Sequence, residues 1–265
     1  MNKKKIIAII LIIIAVAIWR YIAASNVEMP NVIGDTLEDE TDTVVLIPES
    51  ETEISENTYS SSSGKFDYSS VPQFSGEPYV IVNNNVPFTF SEIKNTKKAY
   101  ERYSALDNLG RCGPAVANVC RDTMPTEKRG EIGEVKPSGW RYNGKSNNKK
   151  YDFVDGLYLY NRCHLVGYQL TAENANSRNL ITGTRYLNVQ GMLPFENMVA
   201  DYVKETNHHV LYRVTPIFVG NELVVRGVLM EAQSVEDSDI QFCVYCYNIQ
   251  PGVRINYSTG QNSLK

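Results

Sequence analysis

Histidine is scarce in this 265-residue chain: His164, His208 and His209 are the three it has. The search for an imidazole acid–base group therefore narrows to three positions. Cysteine is sparse as well. Cys112, Cys120, Cys163, Cys243 and Cys246 are an odd number, so at least one stays unpaired within a monomer, and a Cys112–Cys120 bridge is left open. Cys243-Val-Tyr-Cys246 has CxxC spacing, but it lies in the strand-like run IQFCVYCYNI. On a strand, a spacing of three sends the two thiols to opposite faces, and no second CxxC or suitably spaced histidine completes a zinc site. Internal repeats are absent.

Basic residues are missing from Tyr21 to Gly64, where ten acids fall, from Glu28 to Glu56, and the run ends in Ser60-Ser61-Ser62-Ser63-Gly64. Aromatics and helical periodicity are nearly missing too, so residues 26–75 read as an acidic, disordered stalk. Ahead of it, MNKKK precedes the one long apolar run, Ile6–Trp19, and Arg20 interrupts before YIAAS. With Arg20 snorkelling, Ile6–Ala24 is long enough to span a bilayer. Residues 1–25 are expected to be an uncleaved membrane anchor, with a cleaved signal as the alternative. Either way the three lysines stay inside and the rest of the chain is exported.

The net charge of −4 argues against a nucleic-acid partner only while it is treated as uniform. Residues 1–64 hold four of the 26 basic groups and ten of the 30 acids. Residues 65–265 therefore carry 22 against 20 and are mildly basic.

The folded domain is expected over 76–265 and starts in earnest near Tyr79, where YVIVNNNVPFTF reads as a strand and turn. Ser91–Tyr103 is predicted as a helix capped by Ser91. Residues 104–150 look irregular. LYLYNRCHLVGYQL reads as strand, followed by an Asn-rich polar loop. Phe195, Met198, Val199, Tyr202 and Val203 then fall on one helical face, with Pro194 at its first turn. HVLYRVTPIF and ELVVRGVLMEAQS, joined at Gly220-Asn221, predict a hairpin, and DIQFCVYCYNI a third antiparallel strand. The class is α+β.

His208 and His209 open a strand after the helix and read as boundary residues, whereas His164 ends the strand in Tyr160-Asn161-Arg162-Cys163-His164. Asn179, Asn188 and Glu196 follow at intervals of nine and eight. This composite resembles the DNA/RNA non-specific endonucleases with a ββα-metal (His-Me finger) site, in particular the bacterial membrane-anchored DNA-entry nucleases. The likeness spans roughly residues 90–258 and includes LGRCGPAVANV, MPTEKRG, VKPSGW and YNIQPGVRINYSTG. Two positions depart from the family's Asp-Arg-Gly-His pattern: Asn161 stands for the aspartate and Cys163 for the glycine. Neither carries the general base.

The resemblance implies that His164 is the general base, that Asn188 ligates one divalent ion and that Glu196 holds a water of that ion. Asn179 would position a neighbour or the phosphate. Mg²⁺ suits such a sparse oxygen site, with Mn²⁺ as a substitute. Guanidinium groups fork onto phosphate oxygens, so Arg162, Arg129 and, third, Arg185 are candidate phosphate contacts. The expected function is an exported, membrane-tethered endonuclease acting on DNA and also RNA without base specificity, leaving 5′-phosphate ends. The rivals are a nuclease-like surface module that binds nucleic acid or envelope polymers without cutting, and a secreted nuclease toxin.

Overall fold

The computed structural model describes residues 60–61, 64–82, 88–94 and 98–265. The anchor, residues 26–59 and 62–63 of the acidic stalk and residues 83–87 ahead of the first helix lie outside the described residues. Among those described, no helix is long and apolar enough to cross a membrane.

The frame is a six-stranded antiparallel sheet. In chain order its strands are β1 (Tyr79–Ile81), β2 (Tyr100–Tyr103) and β3 (Ala115–Val119), then, after the site hairpin, three long C-terminal strands. The hairpin is β4 (Tyr160–His164) and β5 (Leu180–Thr184); the long strands are β6 (Val210–Ile217), β7 (Gly227–Ser234) and β8 (Gln241–Tyr247). The spatial order is β1-β8-β7-β6-β3-β2, with β4 and β5 forming their own two-stranded sheet. The helices α1 (Phe90–Lys94), α2 (Tyr168–Thr171) and α3 (Leu193–Thr206) accompany them. The expected α+β class and its antiparallel meander are what the chain forms.

Strand alternation builds two cores. Val210, Tyr212 and Val214 of β6, with Met230 of β7 and Val244 and Cys246 of β8, face Val199, Val203 and Leu187 in the main core. The opposite face carries Arg213, Glu231 and Cys243, which are register neighbours. Thus Cys243 and Cys246 do lie on opposite faces. All five cysteines are free and buried, so Cys112 and Cys120 are not bridged. The Cys112 thiol instead donates to the Ser177 and Leu180 carbonyls, at 3.3 Å each.

Several expectations are corrected. Among the described residues the helix expected over Ser91–Tyr103 is α1, and its cap is Thr89, whose hydroxyl accepts from Glu92 N while the Glu92 carboxylate accepts from Thr89 N. Tyr100–Tyr103 is extended instead, because it pairs with β3 as a charged edge strand. The stretch 104–150 contains β3, and the Asn-rich loop contains β5. Gly220-Asn221 lies within a longer connection, since β7 begins only at Gly227. Met198 is exposed, being at the margin of the α3 stripe; Ala200 takes the buried place. The stalk does not extend to residue 75. Phe66, Tyr68, Val71 and Phe74 pack on Tyr245 and Tyr247, and Phe66 stacks on Tyr245 at 6.0 Å between centroids. Tyr247 also ties its hydroxyl to the Pro72 carbonyl. Among the described residues the packed body therefore includes the segment from Phe66, whose apolar side chains cover a sheet face.

Candidate active site

Strands β4 and β5 pair from Tyr160↔Thr184 to His164↔Leu180. A π-turn, Leu187–Met192, then leads into α3, so two strands and a helix enclose one place. A cleft of about 800 Å³ opens there. Its walls include His164 from β4, Asn188 from the π-turn, Glu196 from α3 and Arg129 from the preceding loop. π-Turns are rare and re-aim a side chain by one residue; this one leaves Leu187 and Met192 in the core and Asn188 on the cleft.

His164 is nearly enclosed, 7% exposed. Its Nε2 lies 2.8 Å from the Asn174 carbonyl. A carbonyl can only accept, so Nε2 carries the proton and Nδ1 keeps the lone pair. Burial, with the Arg129 charge nearby, lowers the imidazole to about 4, although the Asn174 bond opposes this. The ring is neutral at pH 7 and able to accept a proton.

Glu196 is the other perturbed group. Burial raises its carboxyl to about 7, against the opposing effects of a Gln169 hydrogen bond and the Arg129 charge. Gly167 makes its position available: a Cβ there would meet the Glu196 carboxylate at 2.7–2.9 Å. A carboxylate at this threshold is stabilised by any cation brought beside it.

Of the predicted arginines, Arg162 is engaged with the fold. Its Nε donates to Val135 O at 2.6 Å, Nη2 to Gly133 O at 2.9 Å, and the guanidinium lies 4.1 Å from the centre of the Trp140 ring. It borders the cleft, and two of its five donors hold the 133–135 loop. Arg185 is paired with Asp155 at 2.6 Å. Arg129 is exposed, lines the cleft and has no hydrogen bond or ion pair among the described residues, so all of its donors are open to a ligand.

Asn179 sits beside the chain that follows His164. It is fully buried and away from the cleft wall. Its Oδ1 accepts from Val166 N at 2.9 Å, its Nδ2 donates to Val166 O at 3.0 Å, and its own carbonyl accepts from Leu165 N. It clamps the chain just after His164, a positioning task and not a phosphate contact. His208 and His209 bond to Asp237 and Glu236 and do not line the cleft, as boundary residues should.

The two departures from the motif resolve differently. Cys163 is fully buried, burial pushes its thiol up, and its sulfur fills the space where a Cβ on Gly183 would lie, so it neither blocks the cleft nor reacts there. Asn161 lines the cleft, and its Oδ1 is enclosed without a hydrogen-bond partner. An orphaned buried oxygen is costly and suits a cation or its water.

The donor set fits a hard divalent ion. Among the described residues no three His, Cys, Asp or Glu side chains cluster. What the cleft offers is oxygen: the Asn188 and Asn161 amides and the Glu196 carboxylate. So few protein ligands leave most of the shell to water, as Mg²⁺ prefers. Sequence reading missed Gly167, Gln169, Trp140 and Tyr158. The glycine three residues after His164 was the available signal for the first; the others reach the cleft through tertiary contacts.

The family model for DNA/RNA non-specific endonuclease matches residues 91–236, more than half of the chain. The chain belongs to this endonuclease family. A curated relative, the deoxyribonuclease of Streptococcus dysgalactiae subsp. equisimilis, is 28% identical over 193 residues, 60% of this chain and 59% of the relative. The chain thus spans less than two thirds of that relative's length. Two solved structures are similar in fold. NucA of Streptococcus agalactiae with magnesium bound is 26% identical, with a TM-score of 0.56 over 63% of this chain and 79% of that one. The Sda1 nuclease with bound zinc is 27% identical, with a TM-score of 0.61 over 71% and 97%.

Proposed function

We propose that the chain is a metal-dependent endonuclease that hydrolyses DNA, and RNA, with little base specificity and leaves 5′-phosphate ends. The observation that carries this reading is the neutral, tautomer-fixed His164 in one cleft with Glu196, Asn188 and an unpaired Arg129. The magnesium and zinc bound to its structural relatives support a divalent ion here. Asn188 would hold it through its amide oxygen, and Glu196, with Asn161, would hold waters around it. Mg²⁺ is the expected ion and Mn²⁺ its substitute. When bound, the ion supplies positive charge to the phosphate and the departing 3′-oxygen.

His164 Nδ1 takes a proton from the attacking water, and the imidazolium is stabilised by the Asn174 carbonyl on Nε2. The water oxygen bonds to phosphorus as the bond to the 3′-oxygen breaks, so the phosphate stays on the 5′ side. Arg129 forks onto the non-bridging oxygens. Asn179 keeps the turn after His164 in register, and Arg162 keeps the 133–135 loop beside the cleft. These contacts address phosphate, which every sequence shares.

The N-terminal apolar run would tether this domain outside the cell membrane, or release it if cleaved. A non-cutting binding module is the second reading, favoured by Asn161, which lacks the charge of the family's aspartate. Plasmid degradation by the full chain, with Mg²⁺ and with EDTA, separates the two. Degradation that needs Mg²⁺ and disappears in His164→Ala is expected. A His164→Ala protein that cuts as fast as the parent would falsify the mechanism, and binding without turnover would favour the module.

A further inference from the structure

Four aromatic side chains line the cleft: Trp140, Tyr158, Tyr160 and Tyr168. Three are committed to the fold. Trp140 is buried under the Arg162 guanidinium. Tyr160 is 1% exposed and donates its hydroxyl to Gly260 O at 2.9 Å. Tyr168 donates its hydroxyl to Glu127 O at 2.9 Å. Tyr158 differs. It is 45% exposed, its hydroxyl has no partner among the described residues, and the Lys150 ammonium lies 5.0 Å from its ring centre.

The turn presenting this ring is held in place. Leu157 has φ +69° although it carries a Cβ, directly after Gly156 at φ +73°. A non-glycine residue stays in the left-handed region only where its surroundings impose it. Here Leu157 N donates to Val154 O at 2.7 Å, Tyr151 N donates to Leu157 O at 2.8 Å, and Lys150 bridges Tyr158 in antiparallel fashion. Arg185 holds Asp155 from across the cleft wall. Phe153 and Leu157, also exposed, extend the apolar surface of the same turn.

An exposed ring with an ammonium group beside it, on the rim of an arginine-bearing cleft, matches one nucleotide: a base for the ring and a phosphate for the cation. Bases in a duplex stack on each other and present only their edges, so they cannot cover this ring. We infer that Tyr158 and Lys150 form a stacking subsite for an unpaired nucleotide next to the scissile phosphate, so the cleft takes single strands in preference to duplex. This rests on the nuclease reading and names its substrate class.

The test is fluorescence anisotropy of the full chain in EDTA, where metal-dependent hydrolysis is silent. The probes are a fluorescein-labelled single-stranded DNA oligonucleotide and the same sequence closed into a hairpin duplex. The parent should bind the single strand more tightly. Tyr158→Ala should weaken single-strand binding about tenfold or more while moving duplex binding less than about twofold. Tyr158→Phe, which keeps the ring, should bind as the parent does. Equal parental affinity for the two probes overturns the subsite, as does an equal loss on both in Tyr158→Ala. If the parent degrades plasmid in Mg²⁺ but shows no strand preference, only the subsite falls. If it shows the Tyr158-dependent preference but cuts nothing with any divalent ion, the nuclease reading falls instead.

Discussion

Replacing Glu196 by glutamine keeps the shape and the Gln169 neighbour but removes the one carboxylate that burial has raised to about 7 in this cleft. The sign of the effect follows from linkage. A carboxyl whose folded value exceeds its ordinary 4.5 is protonated in the fold while the unfolded chain ionises. The metal-free protein therefore loses stability as pH rises from about 4.5 through about 7, and the loss is complete above that. At about 1.4 kcal/mol per tenfold change, the full cost is about 3 kcal/mol. Glu196 is only half-buried, and solvent at the cleft mouth reduces this to about 2 kcal/mol. In EDTA at pH 8, Glu196→Gln should then be the more stable protein, by roughly 4–8 °C in melting temperature for a body of this size. At pH 5 the gap should shrink to about a quarter of that. Mg²⁺ should reverse the order at high occupancy, because an ion at a hundred times its Kd adds about 2.7 kcal/mol to the parent. The variant lacks the charge and should gain little. Differential scanning fluorimetry across pH 5–8.5, with EDTA and then with a Mg²⁺ titration, reads both effects. Identical pH dependence of parent and variant in EDTA, or equal stabilisation of both by Mg²⁺, would refute the assignment of Glu196 to the ion.

His164 is lowered to about 4, so its neutral form is retained in the fold and stability is lost as pH falls from about 6.5 towards 4. At saturating Mg²⁺, the acid limb of plasmid cleavage should accordingly lie below pH 6; a limb at 6.5 or above would mean that the base titrates as a solvent-exposed imidazole. Arg129→Ala should cut kcat/KM by about 10–100-fold and reduce the salt dependence of binding by about one phosphate contact, with an unchanged melting temperature. Arg162→Ala should behave in the opposite way, lowering stability by about 2 kcal/mol through the lost Gly133 and Val135 bonds and the Trp140 contact. Kinetics and melting of the two variants side by side decide which arginine meets substrate. Gly167→Ala places a methyl within 3 Å of the Glu196 carboxylate and should weaken the Mg²⁺ response, measured by the same melts. Starting the chain at Gly76 removes Phe66, Tyr68, Val71 and Phe74 from Tyr245 and Tyr247, and should cost about 3 kcal/mol or more on urea unfolding.

What could be read from the sequence, and what could not, divides by the distance over which each residue acts. His164 was legible because a strand-ending histidine followed by Asn179, Asn188 and Glu196 is a local pattern, and α3 because its stripe repeats every turn. The long β-meander was legible for the same reason. β5 was hidden in an Asn-rich stretch, since Leu180–Thr184 is extended only by pairing with β4. Tyr100–Tyr103 likewise owes its conformation to β3. Roles within the site depend on contacts more distant still. Arg162 and Arg129 are equivalent as letters, both guanidinium groups close to a motif. One finds two carbonyls 27 and 29 residues upstream and an indole ring, which hold its plane in place; the other finds no such partner among the described residues. Asn179 and Asn188 are the same residue type nine positions apart. The first closes on the Val166 peptide inside the core, and the second is turned onto the cleft by a π-turn that no propensity announces. Both guanidinium groups border the cleft, but only the one inside the motif is also tied to the fold among the described residues. Transferring roles by motif position alone would overlook that Arg162 also holds the 133–135 loop with two of its five donors.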